Sequence, residues 1–158
     1  MSESATQVPL LARREIEARI AAPLIRAFAA EVGEERALRV AGRVIADLAR
    51  QAGARLRESV GGDQLEDLAR GVLQWGRDGS LELTVLEQTP RCFAMRVTRC
   101  RFAEMYRRLG LEDLGYALSC ARDFALAEGF NPHIRLERSR TLMQGDDCCD
   151  FRFTQDGG

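Results

Sequence analysis

Side chains able to do chemistry are concentrated in residues 120–153, in the last third of the chain. Cys120 and Asp123 stand three residues apart, so on a helix they lie on one face. Further on, the acidic turn Gly145-Asp146-Asp147 leads into two adjacent cysteines. Thiols and carboxylates beside tight turns predict a small reaction site in this segment.

The pairing of Cys120 with Asp123 does not by itself produce a reactive thiolate. A neighbouring carboxylate raises the pKa of a thiol, because it disfavours a second negative charge. Asp123 can instead orient a substrate or act as a base toward water. The structural alternative is that Cys120 is a small buried apolar residue and Asp123 a solvated charge on the helix surface.

Strand alternation separates the two adjacent cysteines. A strand over residues 149–153 places Cys149 on one face with Phe151 and Phe153, and Cys148 on the other face. We therefore expect Cys149 to point inward and Cys148 outward, and both thiols to be reduced. The alternative for Cys149 is a purely structural place in the core.

Two polar residues between these motifs have types that suit a small ligand. Asn131 offers an amide donor and an acceptor, although Asn before Pro is also a common turn signal. Arg138 lies on the face opposite Arg135, and an arginine that faces a pocket binds both oxygens of a carboxylate. A solvated face is the alternative for each arginine, and His133, the single histidine, is expected in a loop.

Composition limits the class of protein. A length of 158 residues predicts one domain with an adequate core. The net charge of −1 gives no general attraction to nucleic acid. We find no apolar run long enough for a membrane span and no signal-peptide pattern, so we expect a cytoplasmic protein. All 23 basic residues are arginine, which excludes lysine Schiff-base chemistry.

Periodicity predicts an α+β fold, with N-terminal helices packed on an antiparallel sheet of about four strands made of two hairpins. We expect a single domain over 1–158, with 1–7 disordered, a helical half at 8–76, and a hairpin-helix-hairpin half at 80–153 that carries the site. The expected helices are 9–32, with an interruption possible at Pro23, then 34 to Gly53 or Val60, 63–75, 101–109, and 111–128 ending at Gly129. The expected strands lie at 81–87, 93–97, 134–143 and 149–153, the last two joined by the Gly-Asp-Asp turn.

At these residues the chain resembles the L-2-amino-thiazoline-4-carboxylic acid hydrolase family. The resemblance covers about residues 95–153 and rests on Cys100-Arg101-Phe102-Ala103-Glu104, Leu109-Gly110, Cys120, Asp123, Gly129-Phe130-Asn131-Pro132, Thr141-Leu142, Gly145-Asp146 and Cys149-Asp150-Phe151-Arg152-Phe153. It implies hydrolytic opening of a cyclic isothiourea to N-carbamoyl-L-cysteine, on a bacterial route to cysteine.

The implied chemistry needs a carboxylate for the cationic amidine, an arginine for the substrate carboxylate, and a base or nucleophile. We expect Asp123 or Asp146 to hold the amidine and Arg138 the carboxylate. Cys149 or Cys120 then attacks the amidine carbon or orients water. The expected substrate-binding residues are Asn131, Arg138, Thr141, Asp146 and Cys100.

Two other functions stay open. The ending Gly-Asp-x-x-Cys-x-Phe also resembles the 4-vinyl reductase type of domain, which implies a small-molecule-binding or sensor domain without turnover. Cys100, Cys120 and Cys149 can alternatively converge on a metal, although no C-x2-4-C pair is present, and we expect no cofactor. We expect a small-molecule substrate, no nucleic-acid or membrane partner, and a possible homo-oligomer through the N-terminal helices.

Overall fold

The computed structural model describes residues 8–156, so the expectation that residues 1–7 are disordered lies outside the described residues. The helices are α1 Leu10–Val32, α2 Glu34–Val60, α3 Leu65–Leu73, α4 Arg101–Arg108, α5 Glu112–Gly115 and α6 Arg122–Phe130, with a π-helical turn at Tyr116–Cys120. The strands are β1 Leu81–Gln88, β2 Cys92–Cys100, β3 Ile134–Glu137 and β4 Cys149–Gln155. None of the described helices has the length and apolar character needed to cross a bilayer.

The four strands form one antiparallel sheet in the order β1-β2-β4-β3. This confirms the predicted α+β fold and the first hairpin, in which β1 pairs with β2. The second hairpin is different, because β3 ends at Glu137 instead of residue 143 and a loop over 138–148 replaces the tight turn. The cause is Asp150, whose Oδ1 accepts hydrogen bonds from the backbone N–H groups of Ser139 and Arg140. These amides therefore do not continue the ladder.

The alternative end of the second helix at Val60 is confirmed, so Gly53 lies inside α2, and Gly129 lies inside α6. A Cβ added to Gly53 of α2 would clash with the carbonyl oxygen of Leu126 and lie 2.7 Å from the backbone nitrogen of Phe130. A Cβ at Gly129 of α6 would lie 2.6 Å from the carbonyl carbon of Arg50. The prediction that Gly129 stops its helix was wrong, since both glycines allow the backbones of α2 and α6 to touch.

The core is divided into two clusters. The sheet cluster lies between the inner face of the sheet and helices α3 and α6, and its centre contains Phe93, Phe130 and Phe153. The helix cluster lies among α1, α4 and the segment 114–118. Cys100 and Leu142 pack against both clusters. The boundary between the clusters is therefore where polar side chains of the last third of the chain meet the interior.

Candidate functional site

Arg138 is the centre of the polar interior. Its side chain is only 1% exposed, and its Nη1 donates to Oδ2 of Asp123 over 2.6 Å. Its Nη2 donates to the carbonyl oxygen of Cys120 over 2.9 Å. Burial of a guanidinium is tolerated only when it is paired and hydrogen-bonded, and these contacts supply both conditions. The structure thus pairs with each other the two groups expected at opposite ends of a substrate.

Three aromatic rings surround the guanidinium. Its Cζ lies 4.9 Å from the ring centroid of Phe151, 5.0 Å from that of Phe124 and 5.9 Å from that of Tyr116. A cation over the face of an aromatic ring is attracted by the ring quadrupole, and the planar guanidinium stacks well. The aromatic residues and Asp123 together fix the position and plane of Arg138.

The π-helical turn Tyr116–Cys120 brings a main-chain carbonyl group to the side chain of Arg138. The backbone N–H of Ala121 donates to the carbonyl of Tyr116 over 2.8 Å, one residue further back than in an α-helix. Two carbonyls are then satisfied by arginine side chains: that of Cys120 by Arg138, and that of Leu118 by Nε of Arg122 over 2.8 Å. Such single π turns are frequent at functional sites.

Three thiols lie around the Arg138–Asp123 pair. Cys149 is buried on the inner face of β4, as predicted, and its Sγ accepts from the backbone N–H of Leu142 at 3.2 Å. Cys100 ends β2 directly before α4, and Cys120 ends the π turn. The charge of Asp123 acts on all three sulfurs. We call these three thiols with Asp123 and Arg138 the buried cluster.

Every thiol of the buried cluster is held in its neutral form. Burial raises the pKa of Cys149 to about 11. Burial, and next the negative charge of Asp123, raise the pKa of Cys120 well above its ordinary value, in the direction expected from the sequence. Burial also raises the pKa of Cys100, although the backbone N–H groups at the start of α4 oppose it. None of these thiols is a thiolate near neutral pH in the resting protein.

The two charges of the buried cluster shift each other. Burial raises the pKa of Asp123, and the charge and hydrogen bond of Arg138 oppose this shift. Burial acts to lower the pKa of Arg138, but the charge and hydrogen bond of Asp123, with smaller contributions from Cys120 and Tyr116, together outweigh it, so the net shift is upward. The protonation state of Asp123 therefore depends on how strongly Arg138 stays engaged with it.

A cleft of about 620 Å³ opens beside the end of β3. It is lined by Leu86, Ala94, Met95, Phe124, Glu137, Arg138, Ser139, Asp150, Phe151 and Arg152. Arg138 belongs to both the cleft and the buried cluster, and within residues 8–156 its buried Nε has no hydrogen-bond partner. A donor without a partner in a nearly inaccessible side chain is costly, which marks the place where a ligand acceptor would be favourable.

Asn131 is not part of this arrangement. It is buried, its Nδ2 donates to the carbonyl of Asp63 over 2.8 Å, and its Oδ1 accepts from the backbone N–H of His133 over 2.8 Å. These bonds tie the turn after α6 to the loop before α3. The arrangement matches the turn alternative, and His133 is an exposed loop residue as expected.

Thr141 and Asp146 stabilise the loop 138–148. The backbone N–H of Thr141 donates to Oδ2 of Asp146 over 2.8 Å, and Oγ1 of Thr141 accepts from the backbone N–H of Gln144 over 3.2 Å. Asp146 is exposed. Of the two carboxylates expected to hold an amidine, only Asp123 contacts Arg138. Cys148, expected to face outward, is buried, because β4 begins at Cys149 and strand alternation does not extend to Cys148.

Sequence reasoning did not select Phe124, Tyr116 or Asp150 as site residues. The signal for Phe124 was its position directly after Asp123, and the signal for Asp150 was its place among the residues that carried the resemblance. Within residues 8–156, no three His, Cys, Asp or Glu side chains are arranged to hold a metal ion. The metal-thiolate alternative has no geometric support in this part of the chain.

Comparison with known proteins now bears on this geometry. A family model described as L-2-amino-thiazoline-4-carboxylic acid hydrolase matches residues 13–153. The chain belongs to this family. The match to the L-2-amino-thiazoline-4-carboxylic acid hydrolase family covers both core clusters, the buried cluster and the cleft, which extends the resemblance of the last third to almost the whole chain. A comparison with curated proteins gave no match.

Proposed function

We propose that this family member hydrolyses a small cyclic amidine or isothiourea such as L-2-amino-thiazoline-4-carboxylate to N-carbamoyl-L-cysteine. Water oxygen forms a bond to the ring carbon between nitrogen and sulfur, and the bond from that carbon to sulfur breaks. One water proton ends on the released sulfur and the other on nitrogen, with no change of oxidation state. Family membership over residues 13–153 supports the reaction class.

The observation that carries the proposal is that Arg138 lines the cleft and its buried Nε has no hydrogen-bond partner within residues 8–156. A substrate carboxylate in the cleft accepts a hydrogen bond from Nε, and the aromatic rings keep the guanidinium plane in place for it. Charge-assisted bonds between arginine and carboxylate are among the strongest in proteins. Arg138 is then the residue that selects an acidic substrate.

Substrate binding also changes the base strength of Asp123. Arg138 is the first of the groups that lower the pKa of Asp123 against the effect of burial. When a substrate carboxylate shares the guanidinium, this lowering weakens and the pKa of Asp123 rises. A carboxylate with a raised pKa is a stronger general base toward water. Asp123 does not itself line the cleft, and the proposal assigns it the role of base because its carboxylate contacts Arg138, which does.

Water, rather than a thiolate, is the attacking group in this proposal. A Cys149 pKa of about 11 leaves the thiolate scarce near neutral pH. The same holds for Cys120, whose pKa is raised by burial and by Asp123. The thiols of the buried cluster then pack against the site as neutral groups. We therefore propose attack by water in place of covalent attack by Cys149 or Cys120.

The test is to incubate purified protein with L-2-amino-thiazoline-4-carboxylate and follow the product by mass spectrometry, where hydrolysis adds one water. We expect Arg138→Gln to raise KM strongly and Asp123→Asn to lower kcat, each by on the order of 100-fold or more. Arg135→Gln, an exposed arginine of the same segment, is the matched control and stays active. Unchanged kinetics in Arg138→Gln would contradict the assigned role.

Thiol variants separate the two attack mechanisms. Cys149→Ser and Cys120→Ser are expected to keep activity within about tenfold, since neither sulfur forms a bond to the substrate. An inactive but folded Cys149→Ser protein, or a covalent adduct of the wild type trapped by acid quench, would overturn the water mechanism. Either result would leave the proposed overall reaction unaffected.

A binding domain without turnover is the second candidate, in line with the resemblance to 4-vinyl reductase domains. The observation that favours it is that the charges of the buried cluster are already paired and its thiols neutral in the resting protein. In that case the compound raises the melting temperature and is recovered unchanged. A gain of one water in the recovered compound would exclude this candidate.

A further inference from the structure

Helices α1 and α2 expose a large apolar surface that the rest of the described chain leaves uncovered. On α1 it consists of residues repeated every four positions, each between 46% and 61% exposed: Ile16, Ile20, Leu24, Phe28 and Val32. On α2 the same spacing gives Val40, Val44 and Leu48. Single exposed apolar residues are ordinary, but an unbroken apolar stripe along a helix marks an interaction site. We call it the apolar ridge.

Two charges near the ends of the α1 part of the ridge have no ion-pair partner within residues 8–156. Five charged residues of α1 form ion pairs with other residues of the chain: Arg14, Glu15, Glu17, Arg19 and Arg26. Arg13 and Glu31, the remaining two, form none within residues 8–156. Arg13 precedes the first ridge residue of α1, Ile16, and Glu31 precedes the last, Val32. Opposite charges therefore remain available at opposite ends of one apolar surface.

We infer that the apolar ridge of α1 is the interface of a homodimer, in which α1 packs antiparallel against α1 of a second copy around a two-fold axis midway between Ile20 and Leu24 along the helix. In this register Ile20 faces Leu24 of the second copy and Ile16 faces Phe28. Arg13 then faces Glu31 of the second copy, and symmetry repeats the pair at the other end. A two-fold interface must be complementary to itself, and this register pairs four of the five apolar residues of α1 and both charges, while Val32 faces Ala12.

The geometry of helix packing agrees with this register. Residues four apart form a ridge on the helix surface, and packing such ridges of two helices into each other's grooves is the commonest helix–helix contact. The ridge of α1 extends about 24 Å, from a rise of about 1.5 Å per residue. A second exposed stripe of the same spacing lies on α2.

The charges on α1 also favour a second copy of the chain over a membrane as the partner of the apolar ridge. Helices that lie on membranes have polar faces rich in lysine and arginine, whereas the exposed side of α1 has both signs and the chain has a net charge of −1. Within residues 8–156, the α1 part of the ridge has one unpaired cation, Arg13, and one unpaired anion, Glu31, at equal distances from its centre, so it fits a second copy of α1. It does not fit an anionic surface.

Charge reversal tests the register directly. Analytical ultracentrifugation of the full chain is expected to show a dimer. Arg13→Glu or Glu31→Arg alone places like charges opposite each other twice, so the dissociation constant rises on the order of 100-fold. The double variant restores wild-type association to within about threefold. Arg91→Glu, an exposed reversal in the β1–β2 loop, is the matched control and changes nothing.

Leu24→Asp is expected to abolish the dimer while the monomer keeps its circular dichroism spectrum, because Leu24 is exposed in the single chain. A wild-type chain that is monomeric at all concentrations would overturn the inference. A dimer unaffected by both single reversals would overturn it too, as would a monomer that cosediments with phosphatidylglycerol vesicles.

Discussion

Replacing Gly53 by alanine tests whether the backbones of α2 and α6 touch. The new Cβ would clash with the carbonyl of Leu126 and lie 2.7 Å from the nitrogen of Phe130. Overpacking of this kind costs about 1–3 kcal/mol, here at the upper end because backbone atoms cannot rotate away. The better helix propensity of alanine returns about 1 kcal/mol. The expected net loss is about 2 kcal/mol, which lowers Tm by about 4–8 °C for a chain of this size.

Gly42→Ala is the matched control, because Gly42 lies in the same helix and a Cβ there meets no atom within 4 Å. It gains the helix propensity without a clash, so Tm rises by about 2–4 °C for the roughly 1 kcal/mol gained. Both changes are measured by thermal unfolding followed by circular dichroism. A Gly53→Ala protein that unfolds at or above the wild-type temperature would refute the close contact.

The remaining predictions concern charges and thiols. Asp123→Asn leaves the guanidinium of Arg138 buried without a counter-charge and lowers the free energy of unfolding by about 3 kcal/mol, as denaturant titration will show. Burial acts to raise the pKa of Asp150, but hydrogen bonds from Ser139 and the neighbouring backbone lower it below its ordinary 3.8. The charged Asp150 carboxylate therefore stabilises the fold above its ordinary pKa, and this stabilisation is lost as pH falls through the lowered pKa. In Asp150→Asn, the free energy of unfolding depends less on pH in the acid range. Alkylation of Cys149, mapped by mass spectrometry in the folded protein, is slow at neutral pH and accelerates up to about pH 11; fast labelling at pH 7 would contradict its buried neutral state.

Local pattern was sufficient for much of the fold. Alternation identified the β1–β2 hairpin, and strand parity placed Cys149 inward with Phe151 and Phe153, as the structure confirms. These features depend on neighbours in sequence, where the period of hydrophobicity reports directly on the buried face.

The errors arose where a distant residue decides the local structure. The length of β3 is set by Asp150, which takes the amides of Ser139 and Arg140 out of the ladder. Gly129 was interpreted as the end of its helix, and Gly53 as one of two possible ends of α2, because a single sequence does not distinguish a glycine that stops a helix from one that admits another backbone.

The candidate site was likewise predicted in part, where residue type and spacing were informative, and missed where contacts between distant residues decide. Residue type and spacing selected Cys120, Asp123, Arg138 and Cys149, which the structure brings together. The same reasoning assigned Asp123 and Arg138 to separate ends of a substrate, because nothing in the sequence shows that they form an ion pair. The amide of Asn131 was equally suited to a ligand or a turn, and only the contacts with Asp63 and His133 decide between them.

The π turn at Tyr116–Cys120 has a consequence for the origin of this site. Such a turn is equivalent to one residue inserted into an α-helix, and each residue turns an α-helix by about 100°. The insertion therefore sets the rotation about the helix axis between Leu114, which packs in the helix cluster, and Asp123. Deleting a single residue there would restore a regular helix and turn the Asp123 carboxylate away from Arg138. The direction of the Asp123 carboxylate therefore depends on the number of residues in this turn, and a single inserted residue is enough to set it.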